Sequence, residues 1–194
     1  MGLGRLRRFV TDFTAMLGGA PGEAEILSSG GRLLADLVAH DDWLPDEFAA
    51  VSGQGYAQYL LHCDSAERFS VVSFAWAPGA GTPAHDHTVW GLVGVLRGAE
   101  LSQRLDLTPD GLAPRGAASR LVPGQVEAVS PAIGDIHAVT NALEDEASVS
   151  IHVYGANIGA VQRHLFDPAG RARPFVSGYS NPVMPNFWGA ERRV

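Results

Sequence analysis

Cysteine is almost absent from this 194-residue chain: Cys63 stands alone, so no internal disulfide can form and nothing indicates an oxidising compartment. It reads as a partly buried structural thiol. Clustered cations are scarce too. Lys and Arg number 14 against 21 Asp and Glu, the net charge is −7, and the only basic run, Arg5-Leu6-Arg7-Arg8, lies beside Asp12. Phosphate binding relies on clustered Lys and Arg, so nucleic acid is not an expected partner. Apolar runs long enough to span a membrane are missing, and the first residues lack the apolar core of a signal peptide. A cytoplasmic protein without a membrane partner is expected.

What is plentiful is apolar and turn-forming. Hydrophobic residues make up 46% of the chain, with 23 Gly and 12 Pro, enough for one well-buried core in a turn-rich fold. Leu3, Leu6, Phe9, Val10, Phe13, Met16 and Leu17 recur at helical spacing and stop at Gly18-Gly19, predicting an amphipathic helix. A second helix is predicted over 29–40, with Leu33, Leu34, Leu37 and Val38 on one side. A short helical turn from Pro45 places Phe48 and Val51. From Tyr56 the pattern changes to short strands, at 56–61, 69–76, 90–96, 100–107, 120–121, 127–129, 137–141 and 147–154. Turns such as Pro78-Gly79 and Pro109-Asp110-Gly111 separate them. The reading is a single, all-β dominated domain over 1–194: a helical cap over 1–55, a β-barrel over 56–165 and an irregular wrapping tail over 166–194.

Chemistry concentrates around His85-Asp86-His87. Two imidazoles at i and i+2 share one face of an extended segment and can converge on one metal ion. Taken alone, the pair equally describes surface histidines in a polar turn. The surroundings narrow this. Gly79 precedes His85 by six residues and Gly98 follows His87 by eleven, and a second run, Gly134-Asp135-Ile136-His137-Ala138-Val139-Thr140-Asn141, lies downstream. The two runs resemble the paired motifs of the cupin family, G-x5-H-x-H-x3,4-E-x6-G and G-x2-H-x3-N. Pro131 is one residue out of the usual register, and Gly91 stands where the first motif places a glutamate ligand. The resemblance implies a double-stranded β-helix barrel with a metal site of His85, His87 and His137.

Three neutral imidazoles leave a divalent metal its full charge, which favours an anionic co-ligand such as a thiolate. A three-histidine cupin site is similar to that of the thiol dioxygenases, which include cysteine dioxygenase and 3-mercaptopropionate dioxygenase. Further along, Ser150, His152 and Tyr154 alternate with Ile151 and Val153, so the three polar groups share one strand face. By itself such a row is also a hydrogen-bonded core ladder. The thiol dioxygenase family has the same Ser-x-His-x-Tyr row, which implies catalytic roles here, with the Tyr154 hydroxyl reaching substrate.

Gln58 stands where animal cysteine dioxygenases carry a carboxylate-binding arginine. A neutral amide cannot supply that charged fork. Arg163, nine residues after Tyr154, occupies the offset of the arginine in Gln-type bacterial enzymes resembling 3-mercaptopropionate dioxygenase. Gly91 also replaces the cysteine that cross-links to the tyrosine in the animal enzymes, so no thioether is expected. The resemblance implies Fe(II), a small thiol carboxylate and O2 as reactants, and a sulfinic acid as product, with Arg163, Gln58 and Tyr154 binding substrate. The expected substrate is 3-mercaptopropionate. The alternatives are L-cysteine and, more remotely, a non-oxygenase metal-binding cupin. His40, His62 and His164 are read as lying outside the metal shell, and Trp76 and Trp90 as core and pocket wall.

Overall fold

A computed structural model describes residues 2–51, 53–186 and 188. The far end of the predicted tail, 189–194, lies outside the described residues. Among the described residues, no helix is long and apolar enough to cross a membrane.

Helix α1 (Gly4–Gly18) buries Leu6, Phe9, Val10 and Phe13, the stripe that its periodicity marks. The second helix begins six residues before its predicted start. A turn of α2 (Glu23–Glu25) leads through a π-helical segment (Ile26–Gly30) into α3 (Gly31–Val38). Ser28-Ser29-Gly30-Gly31 reads as a helix start because these are weak helix formers. Here the wider π turn carries the chain through them. Pro45 precedes the predicted short turn, a 3-10 helix at Asp46–Phe48 that buries Phe48.

The strands are β1 (Tyr56–Cys63), β2 (Ser70–Trp76), β3 (Gly91–Arg97), β4 (Glu100–Thr108), β5 (Gly111–Pro114), β6 (Ser119–Leu121), β7 (Val126–Val129), β8 (His137–Asn141), β9 (Ser148–Tyr154), β10 (Arg163–Phe166) and β11 (Ala172–Phe175). They divide between sheets instead of closing into one hydrogen-bonded barrel. One sheet has the order β1-β2-β9-β3-β7; in the other, β4 pairs with β5, β6 and β8; β10 and β11 form a hairpin. The segment around His85 joins the last two parts, bridging His137 on β8 and Leu165 on β10.

Two parts of the predicted tail and its approach need correction. Arg163 opens strand β10, which none of the predicted strands covers, and β11 falls inside the stretch read as irregular. Pro174 in β11 suggests loop, yet β11 pairs only with β10, and an edge strand tolerates proline. The unpredicted strand β5 is likewise short and ends in Pro114.

The core explains how the site is held. All seven residues of β9 are buried, so both of its faces are packed. Val149, Ile151 and Val153 meet Leu6, Phe13, Leu34 and Leu37 of the helices in one apolar cluster. The alternate face carries Ser148, Ser150, His152 and Tyr154 to the interior. Gly94 lets α3 approach β3 closely, since a Cβ there would lie 3.0 Å from Leu34 Cγ. Each fully buried Leu or Phe of this cluster contributes about 1.5–3 kcal/mol. The helical cap thus fixes the outer face of β9 and, with it, the polar row on the inner face.

Candidate metal centre

Main-chain pairing brings the three histidines together. His85 N–H donates to His137 O at 3.0 Å and His137 N–H returns a bond to His85 O at 3.1 Å. On the opposite side of the same segment, Phe166 N–H donates to Ala84 O at 2.9 Å and Asp86 N–H to His164 O at 3.1 Å. His87 follows two residues after His85 and points the same way. The three imidazole centroids lie 4.8–4.9 Å apart, and their ligand atoms all fall within 4.8 Å of one another.

Each ring is oriented through its Nδ1. His85 Nδ1 bonds Pro83 O at 3.0 Å, His87 Nδ1 bonds the Asp135 carboxylate at 2.9 Å, and His137 Nδ1 lies 3.4 Å from Ser102 Oγ. Carbonyl and carboxylate oxygens only accept, so the Nδ1 atoms of His85 and His87 carry hydrogen and their Nε2 lone pairs are free. His87 Nε2 is buried without any hydrogen-bond partner. Such a group is costly unless something binds it, and a cation at the centre of the cluster would do so. Burial, then the neighbouring His87, drives the His85 pKa down to about 3. Burial pushes His137 well below the usual histidine range as well. Neutral imidazole is the ligating form, so the donor set fits a divalent metal ion and could hold one.

Asp135 anchors this corner. Besides His87 Nδ1, it accepts the backbone N–H groups of His87 at 3.1 Å and Thr88 at 2.8 Å. Burial opposes its ionisation, but these bonds outweigh that effect and hold its pKa below the ordinary value. Thr88 takes a φ of 61°, unfavourable for a β-branched residue, and the Asp135 bond to its N–H sustains the turn. Sequence reasoning passed over Asp135 although it sits inside the quoted Gly134–Asn141 run.

The absent glutamate at position 91 has a steric reason. Gly91 pairs with Tyr154 across β3 and β9, and a Cβ on it would lie 3.0 Å from the Tyr154 ring and 3.1 Å from Val129 Cγ2. A side chain there would press on the tyrosine ring and on Val129, each of which would have to give by a few tenths of an ångström.

The polar row forms as its spacing predicts. Ser150 Oγ lies 2.8 Å from His152 Nε2, and His152 Nδ1 lies 2.8 Å from Tyr154 Oη. Trp76, read from sequence as core, also donates its Nε1–H to Ser150 Oγ at 3.1 Å. Phe74 stacks on His152 at 4.2 Å, and Tyr154 stacks on His87 at 5.4 Å. Burial lowers the His152 pKa and raises that of Tyr154, so both stay neutral near pH 7.

One pocket is lined by His85, His137, His152, Tyr154, Gln58 and Arg163, with an apolar wall that includes Phe175. Arg163 is 4% exposed; its Nη2 donates to Ser177 Oγ at 2.7 Å, its guanidinium lies 4.7 Å from the Phe175 ring centre, and its Nε has no partner. No carboxylate pairs with it among the described residues. Gln58 spends its amide hydrogens on Ser177 Oγ at 3.0 Å and Gly178 O at 2.6 Å. Ser177 therefore ties the two side chains together, a link between distant segments that no local spacing announces.

The remaining histidines stay outside the cluster. His164 Nδ1 bonds Asp86 at 2.8 Å, and the His62 ring packs 5.3 Å from Phe69. Cys63 is absent from the pocket wall, and its thiol is pushed up chiefly by burial.

No protein-family model matches the sequence. Some solved structures are similar to part of the chain at low identity. An oxalate oxidase in complex with the substrate analogue glycolate is 19% identical over 62% of this chain and 63% of its own, with a TM-score of 0.45. An uncharacterised protein with a double-stranded β-helix domain from Klebsiella pneumoniae subsp. pneumoniae is 19% identical over 62% and 95%, with a TM-score of 0.47. A cupin superfamily protein from Desulfitobacterium hafniense is 15% identical over 61% and 94%, with a TM-score of 0.46. This chain spans less than two thirds of the oxalate oxidase. The chain itself divides its strands between a five-stranded sheet, a four-stranded sheet and a hairpin.

Proposed function

We propose that the protein is an Fe(II)-dependent thiol dioxygenase, oxidising a small thiol carboxylate with O2 to the sulfinic acid, with 3-mercaptopropionate as the preferred substrate. The observation that carries this reading is Arg163: a buried guanidinium without a carboxylate partner opens on the same pocket as the histidine cluster. A buried cation calls for an anion. A ligand with a carboxylate at one end and a metal-seeking thiol at the other meets both demands.

His85, His87 and His137 would hold the metal, which when bound supplies a lowered thiol pKa and the activation of O2. The protein's own residues bind and orient. Arg163 takes the carboxylate through its free N–H groups while Ser177 and the Phe175 ring hold the guanidinium in place. Tyr154 offers its hydroxyl at the pocket wall, kept protonated by burial and held by His152. Fixing both ends of a short ligand confines its sulfur to one orientation. The apolar wall of Phe74, Trp76 and Val139 excludes water from the reacting end. The reaction balances as one thiol and one O2 giving one sulfinic acid, with both oxygen atoms on sulfur and no outside reductant.

The pocket wall supports 3-mercaptopropionate over L-cysteine, because no Asp or Glu among the described residues lines it to pair with an α-ammonium group. A cytoplasmic setting belongs to the same reading. The test is O2 uptake by Fe(II)-loaded protein. One O2 consumed per 3-mercaptopropionate, with 3-sulfinopropionate as product, is expected. Absence of thiol-dependent uptake would refute the function, and a higher kcat/KM for L-cysteine would overturn the substrate assignment.

A further inference from the structure

Asp86 stands between two of the three clustered histidines and faces away from them. Alternation along an extended segment sends His85 and His87 to the cluster and the residue between them to the rear. Strand β10 alternates in step: Arg163 and Leu165 line the pocket, and His164 does not. The two rear-facing side chains meet, with His164 Nδ1 donating to Asp86 Oδ2 at 2.8 Å. We propose that Asp86 is a positioning residue for Arg163, its carboxylate fixing where the buried guanidinium stands relative to the histidine cluster.

A regular antiparallel rung consists of two main-chain bonds exchanged between opposite residues. Asp86 and His164 make half of one. Asp86 N–H donates to His164 O at 3.1 Å, but His164 N–H goes to the side chain, Asp86 Oδ1, at 2.7 Å. The carboxylate stands in for its own residue's carbonyl. That N–H belongs to the planar peptide unit that leaves Arg163, so the carboxylate grips the main chain at the cation itself. With His164 Nδ1 on Oδ2, both carboxylate oxygens are engaged by one residue.

Ser177 and Phe175 orient the guanidinium, whereas Asp86 ties the main chain of Arg163 to the segment that carries His85 and His87. Shape and charge can be separated at this position. In Asp86→Asn the amide oxygen still accepts from His164 N–H, and the amide hydrogens meet His164 Nδ1, which accepts in its other neutral tautomer. The geometry survives without the charge. Asp86→Glu keeps the charge, but an added methylene takes the carboxylate out of reach of bonds set at 2.7 and 2.8 Å. Asp86→Ala removes both bonds and frees His164 N–H to close the ordinary rung. Positioning therefore groups Asn with the wild type and Glu with Ala. A charge acting on the metal from behind would group them the other way.

The inference rests on the carboxylate-binding role given to Arg163 under the proposed function. The test is calorimetry of the full chain loaded with Zn(II), titrated with 3-mercaptopropionate and with 3-mercapto-1-propanol, which lacks the carboxylate. The wild type should prefer the carboxylate. Asp86→Ala and Asp86→Glu should lose about 10–100-fold of that preference, and Asp86→Asn should stay within about threefold of the wild type. In an Arg163→Met background, Asp86→Ala should change the preference by less than about twofold, because the two residues act through one guanidinium. Where Asp86→Ala fails to fold or to bind Zn(II), the Asn and Glu variants carry the comparison. A wild type without the preference, a grouping of Glu with wild type and Asn with Ala, or an undiminished effect in the Arg163→Met background would each overturn the proposal. A wild type that binds in the expected order and oxidises no thiol would refute the dioxygenase reading and leave Asp86 in its role.

Discussion

The clearest energetic consequence of a buried carboxyl is a stability that depends on pH, and Glu100→Gln isolates it. Glu100 titrates near 4.5 in an unfolded chain, while burial raises it to about 8 in the fold. The folded state therefore keeps its proton to higher pH. Stability from this group is fully present below about pH 4.5 and is lost as pH rises to the folded value. Each unit of difference corresponds to about 1.4 kcal/mol, so a separation from 4.5 to about 8 gives about 5 kcal/mol in total. At pH 7 about 3 kcal/mol of this has already gone, a large share of the 5–15 kcal/mol typical of a domain. Glutamine carries no titrating proton, so its stability should not show this slope. Urea unfolding of both proteins from about pH 5 to 9 should give midpoints that separate steadily, the wild type falling below the variant. Parallel curves, or a gap of less than about 1 kcal/mol over that range, would refute a buried, cation-free carboxyl at this position.

Three further outcomes follow from the site. A divalent metal at a hundredfold excess over its Kd should raise wild-type stability by about 2.7 kcal/mol in thermal melts; His137→Ala should abolish that increment. Asp135→Asn keeps the shape but weakens the hold on His87 Nδ1, so metal affinity should drop about 10–100-fold in a competition titration; unchanged affinity would remove Asp135 from the role given it. Arg163→Met removes charge-assisted hydrogen bonds each worth about 1.5–3 kcal/mol, predicting a loss of about 10–150-fold in kcat/KM for a thiol carboxylate. A thiol of similar size without a carboxylate should be affected far less, and equal losses for both would show that Arg163 does not bind the carboxylate.

Much of this arrangement was legible because it depends on short repeats along the chain. Period-two alternation placed Ser150, His152 and Tyr154 on one face, and the glycine-bounded runs singled out His85, His87 and His137. What escaped depends on contacts between distant segments. Ser177 meets Arg163 and Gln58 only because β11 folds back on β10, and a proline in β11 hid that strand. Gly91 was informative as a missing ligand, but its cause, the Tyr154 ring against its α-carbon, needed the packing.

The main-chain ladder running from β8 through residues 84–86 to β10 acts as a ruler. His137, His85 and Leu165 lie in register across it, and Arg163 stands two residues along the same strand from Leu165. The interval between the cation and the histidine cluster is therefore graduated in peptide units and anchored by backbone hydrogen bonds. Under the proposed function, molecular length is read by the sheet itself. Side-chain exchange along the pocket wall would retune polarity while leaving the measured span intact, whereas inserting one residue between Arg163 and Leu165 would rescale the ligand the pocket accepts.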